Sequence, residues 1–168
     1  LADRTALLGK IADQFLARQD DLAAAATFEM GKPIAQARAE AVKCASAFRY
    51  YAEHGPALLA PLEFALPEGR AMAHWLPQGP VLAVMPWNFP YWQVVRFLAP
   101  TIMAGNVGLL KHASLTPECA ALLEEVVLTA GAPQGLFQNL HIASSAVAGI
   151  VADPRVVAAT LTGSEGAG

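Results

Sequence analysis

Asn88 is the residue of this chain best placed to do chemistry. It stands within Pro86-Trp87-Asn88-Phe89-Pro90, where two prolines fix their own φ and bias the residues before them toward extended geometry. A side-chain amide is thereby carried on a stiff turn. An uncharged amide can be aimed at an oxygen that gains negative charge; a lone Asn in a turn can equally cap backbone groups. Lys111 closes an apolar run, Val107-Gly108-Leu109-Leu110, and a buried lysine there needs a partner. From the carboxyl end of a strand its ammonium can reach a ribose or a phosphate; the alternative is a solvated surface lysine. Thr162-Gly163-Ser164 follows the apolar run Val156 to Leu161. Glycine permits close backbone approach, and Ser164 is placed to open a helix whose N-terminus could take a pyrophosphate. Arg96 interrupts Val94-Val95-Arg96-Phe97-Leu98, so it requires a counter-charge or a route to solvent. Trp92 and Arg96, at i and i+4, share a helix face. Arg96 lies roughly 12 Å along a helix from Asn88 at about 1.5 Å per residue, and helical side chains lean back toward the N-terminus. That leaves room for a short molecule held by a carboxylate in the guanidinium fork. A structural ion pair with a downstream acid is the competing role.

The elements that must position these residues follow from the apolar periods. Val81 to Met85 is bounded by Gly79-Pro80 and Pro86 and reads as a short buried strand, with a helix-compatible run beginning at Tyr91 just after Pro90. Beyond it the periods alternate. Strands are predicted at 80–85, 107–111, 136–140 and 156–161, and helices at 91–103, 117–130 and 144–152, with Thr116 as N-cap and Pro117 at the first helical position. Repeated β-α units of this length imply an α/β fold: a Rossmann-like open parallel sheet with flanking helices, whose ligands lie at the carboxyl ends of the strands. Upstream, Leu7, Leu8, Ile11 and Phe15 mark one helix, and Leu22, Ala25 and Ala26 a second that stops at Gly31. A third, with face Ile34, Ala37, Ala41, Cys44, Phe48 and Tyr51, fades at His54-Gly55-Pro56. Tyr50-Tyr51 reads as packing. Segments 62–66 and 71–76 form a β-hairpin around Pro67-Glu68-Gly69-Arg70, and a hairpin alone is marginal in water. The organisation is therefore helices over 1–56, a hairpin over 57–79 and βα units over 80–168.

Composition narrows the function classes. The chain is 55% hydrophobic and 15% charged over 168 residues, which is a compact core and not a disordered chain. A net charge of −3 gives no reason to expect nucleic acid or an anionic membrane as partner. No apolar run reaches the ~20 residues of a membrane span, and Leu-Ala-Asp-Arg-Thr is not a signal-peptide start. Two cysteines, Cys44 and Cys119, are too few for a disulfide scaffold and read as buried thiols of a cytoplasmic protein. His54, His74, His112 and His141 have no metal-ligand spacing, so no metal is expected.

Five motifs in order, Pro86-Trp87-Asn88-Phe89-Pro90, Ala104-Gly105-Asn106, Leu110-Lys111-His112-Ala113-Ser114, Gly131-Ala132-Pro133-Gln134-Gly135 and Thr162-Gly163-Ser164, resemble the signposts of the aldehyde dehydrogenase superfamily. Glu29-Met30-Gly31-Lys32-Pro33 fits upstream. The resemblance covers nearly the whole chain and is strongest to the bacterial succinate-semialdehyde dehydrogenase type, in the branch with Lys-His-Ala where others have Lys-Pro-Ala. It implies a partial aldehyde dehydrogenase fold, NAD or NADP as cofactor, an aldehyde as substrate and a thioester intermediate. It gives Asn88 the oxyanion-donor role. Lys111 goes to the adenosine ribose, and Ser114 to cofactor selection, since a serine does not repel a 2′-phosphate as a glutamate would. Met85, Pro86, Trp87, Thr162, Gly163 and Ser164 fall on the cofactor, Trp87 being open to a role as core filler. Phe89, Trp92 and Arg96 fall on the substrate, an arginine at this offset being a feature of that type. Residues 57–79 correspond to an oligomerisation hairpin, which implies a homo-oligomer, a dimer or tetramer.

Two departures stand out. Leu161 precedes Thr162 where the family commonly has Phe, and His141-Ile142-Ala143 replaces a glycine-containing turn. The family's nucleophilic cysteine, general-base glutamate and the glutamate holding the nicotinamide ribose lie after Thr162-Gly163-Ser164. The chain is therefore expected to be a piece of a longer enzyme, inactive alone. A short-chain-dehydrogenase-like reading of Thr162 to Gly168 fails on spacing and on position in the chain. A non-catalytic nucleotide- or subunit-binding module is the alternative from another class.

Overall fold

The computed structural model describes residues 1–168. Three helices come first. α1 (Ala2–Ala17) buries Leu8, Ile11 and Phe15; α2 (Gln19–Met30) buries Leu22, Ala25 and Ala26; α3 (Ile34–Leu58) buries Ala37, Ala41, Cys44 and Phe48. Phe15 and Phe48 pack with ring centroids 5.6 Å apart. α2 stops at Gly31, whose φ of 72° is left-handed geometry that glycine adopts without a Cβ penalty, and its N–H bonds Thr27 O. α3 outlasts the apolar pattern, running through Pro56 to Leu58. Tertiary packing decides this: Gly55 is buried against Met103, where a Cβ would come within 2.5 Å of the side chain, and Leu59 N–H closes the last turn on Gly55 O.

β1 (Leu62–Ala65) and β2 (Arg70–Ala73) form the hairpin, antiparallel, with Leu62 opposite Ala73 and Ala65 opposite Arg70. Both strands are shorter than the sequence suggests, and β2 starts one residue earlier. Neither pairs with another strand, and all their residues are exposed.

β3 (Pro80–Val84), β4 (Val107–Lys111), β5 (Phe137–Asn139) and β6 (Ala158–Leu161) form one parallel sheet in the order β5-β4-β3-β6. The chain builds outward from β3 to β5, then crosses to lay β6 on β3's other side. The order therefore reverses at β3, where open α/β sheets leave a crevice. α4 (Trp92–Met103) and α5 (Pro117–Thr129) make the crossovers. The expected helix 144–152 is instead a 3-10 turn, Ser144–Ala146, followed by the five-residue α6 (Val147–Val151). β5 and β6 are trimmed from the predicted spans, although hydrogen bonds from Gly108 N to Leu136 O, Leu140 N to Leu110 O and Val157 N to Pro80 O continue the pairing past their ends. Gly108 allows α4 and β5 to close on β4, since a Cβ there would meet Leu98 and Phe137 at 3.0 and 3.1 Å. Asn106 Oδ1 accepts from Gln78 N–H and Gly79 N–H at 2.6 and 3.1 Å, fixing the entry to β3. No helix is long and apolar enough to cross a membrane.

Candidate active site

Asn88 leaves the carboxyl end of β3 on an exposed turn. It lines a cleft of about 380 Å3 with Pro86, Trp87, Gln93, Thr162, Gly163 and Ser164. That cleft lies between the ends of β3 and β6, at the reversal of strand order. Trp87 forms part of its wall with 47% of its surface exposed, so core filling is excluded for it within this chain. The backbone around Asn88 is tied from three directions. Lys32 Nζ donates to Asn88 O at 3.2 Å. His112 Nε2 donates to Pro90 O at 2.8 Å. Glu40 Oε1 accepts from Tyr91 N–H and Trp92 N–H at 3.0 and 2.8 Å, capping α4. Lys32 and Glu40 form a salt bridge and are 7% and 4% exposed.

The Arg96 groove adjoins the cleft. A cavity of about 460 Å3 is lined by Tyr51, Met85, Trp92, Gln93, Arg96, Thr160 and Thr162 among others, with Gln93 and Thr162 shared between the two spaces. Arg96 is exposed and makes no ion pair with any acid of the chain. Met85, 4% exposed, sits on the Arg96 side and not in the cleft with Pro86 and Trp87. Phe89 lines neither space; its ring lies under Lys32 Nζ, 3.9 Å from the centroid. Tyr51 is half-buried in the groove wall, whereas exposed Tyr50 stacks on His54 at 4.4 Å.

A third group gathers at the ends of β4 and β5. Lys111 is 5% exposed yet has no hydrogen-bond acceptor or carboxylate partner in the chain, so its ammonium is available to a ligand. Ser114 is exposed and lines a cavity of about 220 Å3 with His112, Pro117 and Asn139 to Ala143. His141 therefore stands in the wall where a glycine turn would be open. His112 Nδ1 accepts from Ala113 N–H at 2.8 Å and lies 2.9 Å from Thr116 Oγ1. Its Nε2 must then carry the hydrogen that goes to Pro90 O. Burial lowers its pKa from the ordinary 6.5, partly offset by that carbonyl bond, so the ring is neutral.

One expectation needs correction. Thr116 occupies the N-cap of α5, with Pro117 after it, but its hydroxyl is taken by His112 and does not cap the helix. Glu29 caps α5 instead, accepting from Glu118 N–H and Cys119 N–H at 2.7 and 2.8 Å. Ser164, in extended geometry, stands before a 3-10 turn, Glu165–Ala167, at the end of the described residues. Cys44 and Cys119 are fully buried free thiols, and burial pushes both above the ordinary thiol pKa. Neither is a thiolate at neutral pH.

The model of the aldehyde dehydrogenase family matches residues 1–168. The chain belongs to that family. It is 55% identical over 170 residues to succinate-semialdehyde dehydrogenase [NADP(+)] 1 of Mycobacterium tuberculosis, covering 99% of this chain and 37% of the relative. To succinate-semialdehyde dehydrogenase [NADP(+)] of Mycobacterium avium it is 53% identical, covering 99% and 36%. Among solved structures, succinic semialdehyde dehydrogenase from Streptococcus pyogenes in complex with NADP+ superposes with a TM-score of 0.93 at 40% identity, over 98% of this chain and 36% of that one. The chain thus spans little more than a third of the length of these relatives.

In this aldehyde dehydrogenase chain, sequence reasoning missed the groups that hold the site: Glu29, Lys32, Glu40 and the ring of His112. A signal was available for one of them. Glu40 lies three residues after Ala37 and four before Cys44, on the buried stripe of α3, where a carboxylate must have partners.

Proposed function

We propose that residues 1–168 are the amino-terminal, cofactor-binding part of an NAD(P)-dependent succinate-semialdehyde dehydrogenase. The observation that carries this reading is the switch-point cleft, in which Asn88 and Thr162 to Ser164 face one space joined through Gln93 and Thr162 to the Arg96 groove. The residues fit a dinucleotide. Lys111, a largely buried side chain at a strand end, offers an ammonium with no partner in the chain, suited to a ribose hydroxyl, and Ser114 carries no charge to repel a 2′-phosphate, in keeping with the NADP(+) named for the relatives. A nicotinamide bound there would supply the hydride acceptor. Asn88 donates its amide to the aldehyde oxygen as it becomes an oxyanion, a contribution of roughly 3 kcal/mol for one such donor. Arg96 holds the substrate's carboxylate at the far end of the groove, and Trp92 lines the path between.

Residues 1–168 supply positioning and electrostatics, while the nucleophile and base belong to sequence outside them. Cys44 and Cys119 are sealed in the core, so this chain alone binds without oxidising. The helical segment 1–56 supports the cofactor-binding unit 80–168. The exposed hairpin of 57–79, with Leu62, Phe64 and Met72 each about half exposed, joins a second copy in a cytoplasmic homo-oligomer.

The test is Arg96→Ala in the full-length enzyme. kcat/KM for succinic semialdehyde should fall by about 2–4 kcal/mol while an uncharged aldehyde of similar length is hardly affected. Equal losses on both substrates would show that Arg96 supports the fold and does not read the carboxylate.

A further inference from the structure

We infer that Lys32, through its buried pair with Glu40, is a positioning residue for Asn88. The inference rests on the oxyanion-donor reading of Asn88 and assigns a role to the Glu29-to-Pro33 segment, which no part of that reading uses. Lys32 lies between two helices, in the linker that Gly31 turns and Pro33 ends. Its side chain is 7% exposed, and the ammonium meets three groups: the Glu40 carboxylate, Asn88 O at 3.2 Å and the Phe89 ring at 3.9 Å. Glu40 in turn spends its other oxygen on Tyr91 N–H and Trp92 N–H. One ion pair therefore holds the turn at both ends, at the Asn88 carbonyl and at the first amides of α4.

The geometry matters because the Asn88 side chain is exposed and has no hydrogen bond of its own within the chain. Its aim depends on the backbone that carries it. Prolines stiffen the turn, but they do not anchor it to the rest of the molecule. A carbonyl bonded to a buried cation fixes the peptide plane after Asn88. The cation cannot swing away, since leaving would strand a buried carboxylate. A solvent-exposed lysine would provide no such anchor. Displacement of a reacting group by about 1 Å can cost a hundredfold in rate, so the expected consequence is a loss in turnover and not in binding.

The experiment is a double-mutant cycle in the full-length enzyme, with Lys32→Met/Glu40→Gln as one arm and Asn88→Ala as the other. Glutamine keeps an oxygen for the α4 amides, and the neutral pair leaves no buried charge. The Lys32→Met/Glu40→Gln protein should lose between roughly tenfold and a hundredfold in kcat, with KM for the aldehyde and Kd for the cofactor within about twofold. In the Asn88→Ala background the same change should have almost no effect on kcat, because the group it positions is gone. Multiplicative losses, or an unchanged kcat in the Lys32 arm alone, would overturn the inference while leaving Asn88's role intact. An unchanged kcat in Asn88→Ala would instead remove the oxyanion reading itself. Should the paired variant melt well below the parent, Lys32→Arg carries the same cycle and the same criteria, since it keeps the charge but not the ammonium's place against the carbonyl.

Discussion

The turns that leave β3 and β6 face the same cleft, and within residues 1–168 they are held in opposite ways. After β3, Asn88 O, Pro90 O and the amides of Tyr91 and Trp92 are bonded to Lys32, His112 and Glu40, all three buried and all from other elements. After β6, Thr162 N–H bonds Val84 O at 3.0 Å, and the remaining backbone bonds are local, Ala167 to Ser164 and Gly168 to Glu165. The difference matches what each turn has to do. An amide aimed at one oxygen needs its direction fixed by groups that cannot move, whereas a glycine loop that lets a ligand approach needs only an open backbone.

The contrast can be broken at its strong end. Glu40→Ala leaves the Lys32 ammonium buried without its carboxylate and uncaps α4, so urea unfolding of the full-length protein should show a loss of about 3–5 kcal/mol. A loss below 1 kcal/mol would mean the pair is relaxed by water and does not anchor the turn.

A smaller effect is expected from pH. The folded pKa of His112 lies below 6.5 because the ring is buried. The folded protein then binds fewer protons at this site than the unfolded chain. The stability tied to a neutral His112 is complete above about 6.5 and is lost as pH falls from there toward the folded pKa. Glu29 and Glu40 moderate this by favouring the proton, and Lys111 opposes it. Melting temperatures between pH 7.5 and 5.5 should therefore fall more steeply in the parent than in His112→Gln; identical slopes would show that His112 does not link the two loops through its neutral form.

The smallest change should come from the weak end. A methyl on Gly163 would meet Ala167 Cβ at 3.1 Å and Leu161 Cδ2 at 3.7 Å, both side-chain atoms of exposed residues. Gly163→Ala should alter stability by no more than about 0.5 kcal/mol while raising the cofactor Kd, measured by titration calorimetry. Destabilisation comparable to Glu40→Ala would erase the distinction between the two turns.

Local chemistry determined much of this molecule in the sequence itself. Gly79-Pro80 and Pro86 bound β3, Gly31 ends α2, and the alternation of apolar runs after residue 80 places four strands and their crossovers, because each signal acts within a turn or two of the chain. The same motifs mark the family and place Asn88, Lys111 and Ser164 at strand ends. Strand order was not legible, and neither was the cleft that it opens between β3 and β6. Pro56 reads as a helix stop, yet α3 passes through it because Gly55 packs on Met103, 48 residues away. Thr116 reads as the cap of α5, yet Glu29 caps it from 89 residues upstream. Lys32 and Glu40 look like ordinary charges of a helical segment until folding brings them 56 and 51 residues along the chain to the turn that holds Asn88. Burial turns a charge into an anchor, and burial is decided by which elements meet.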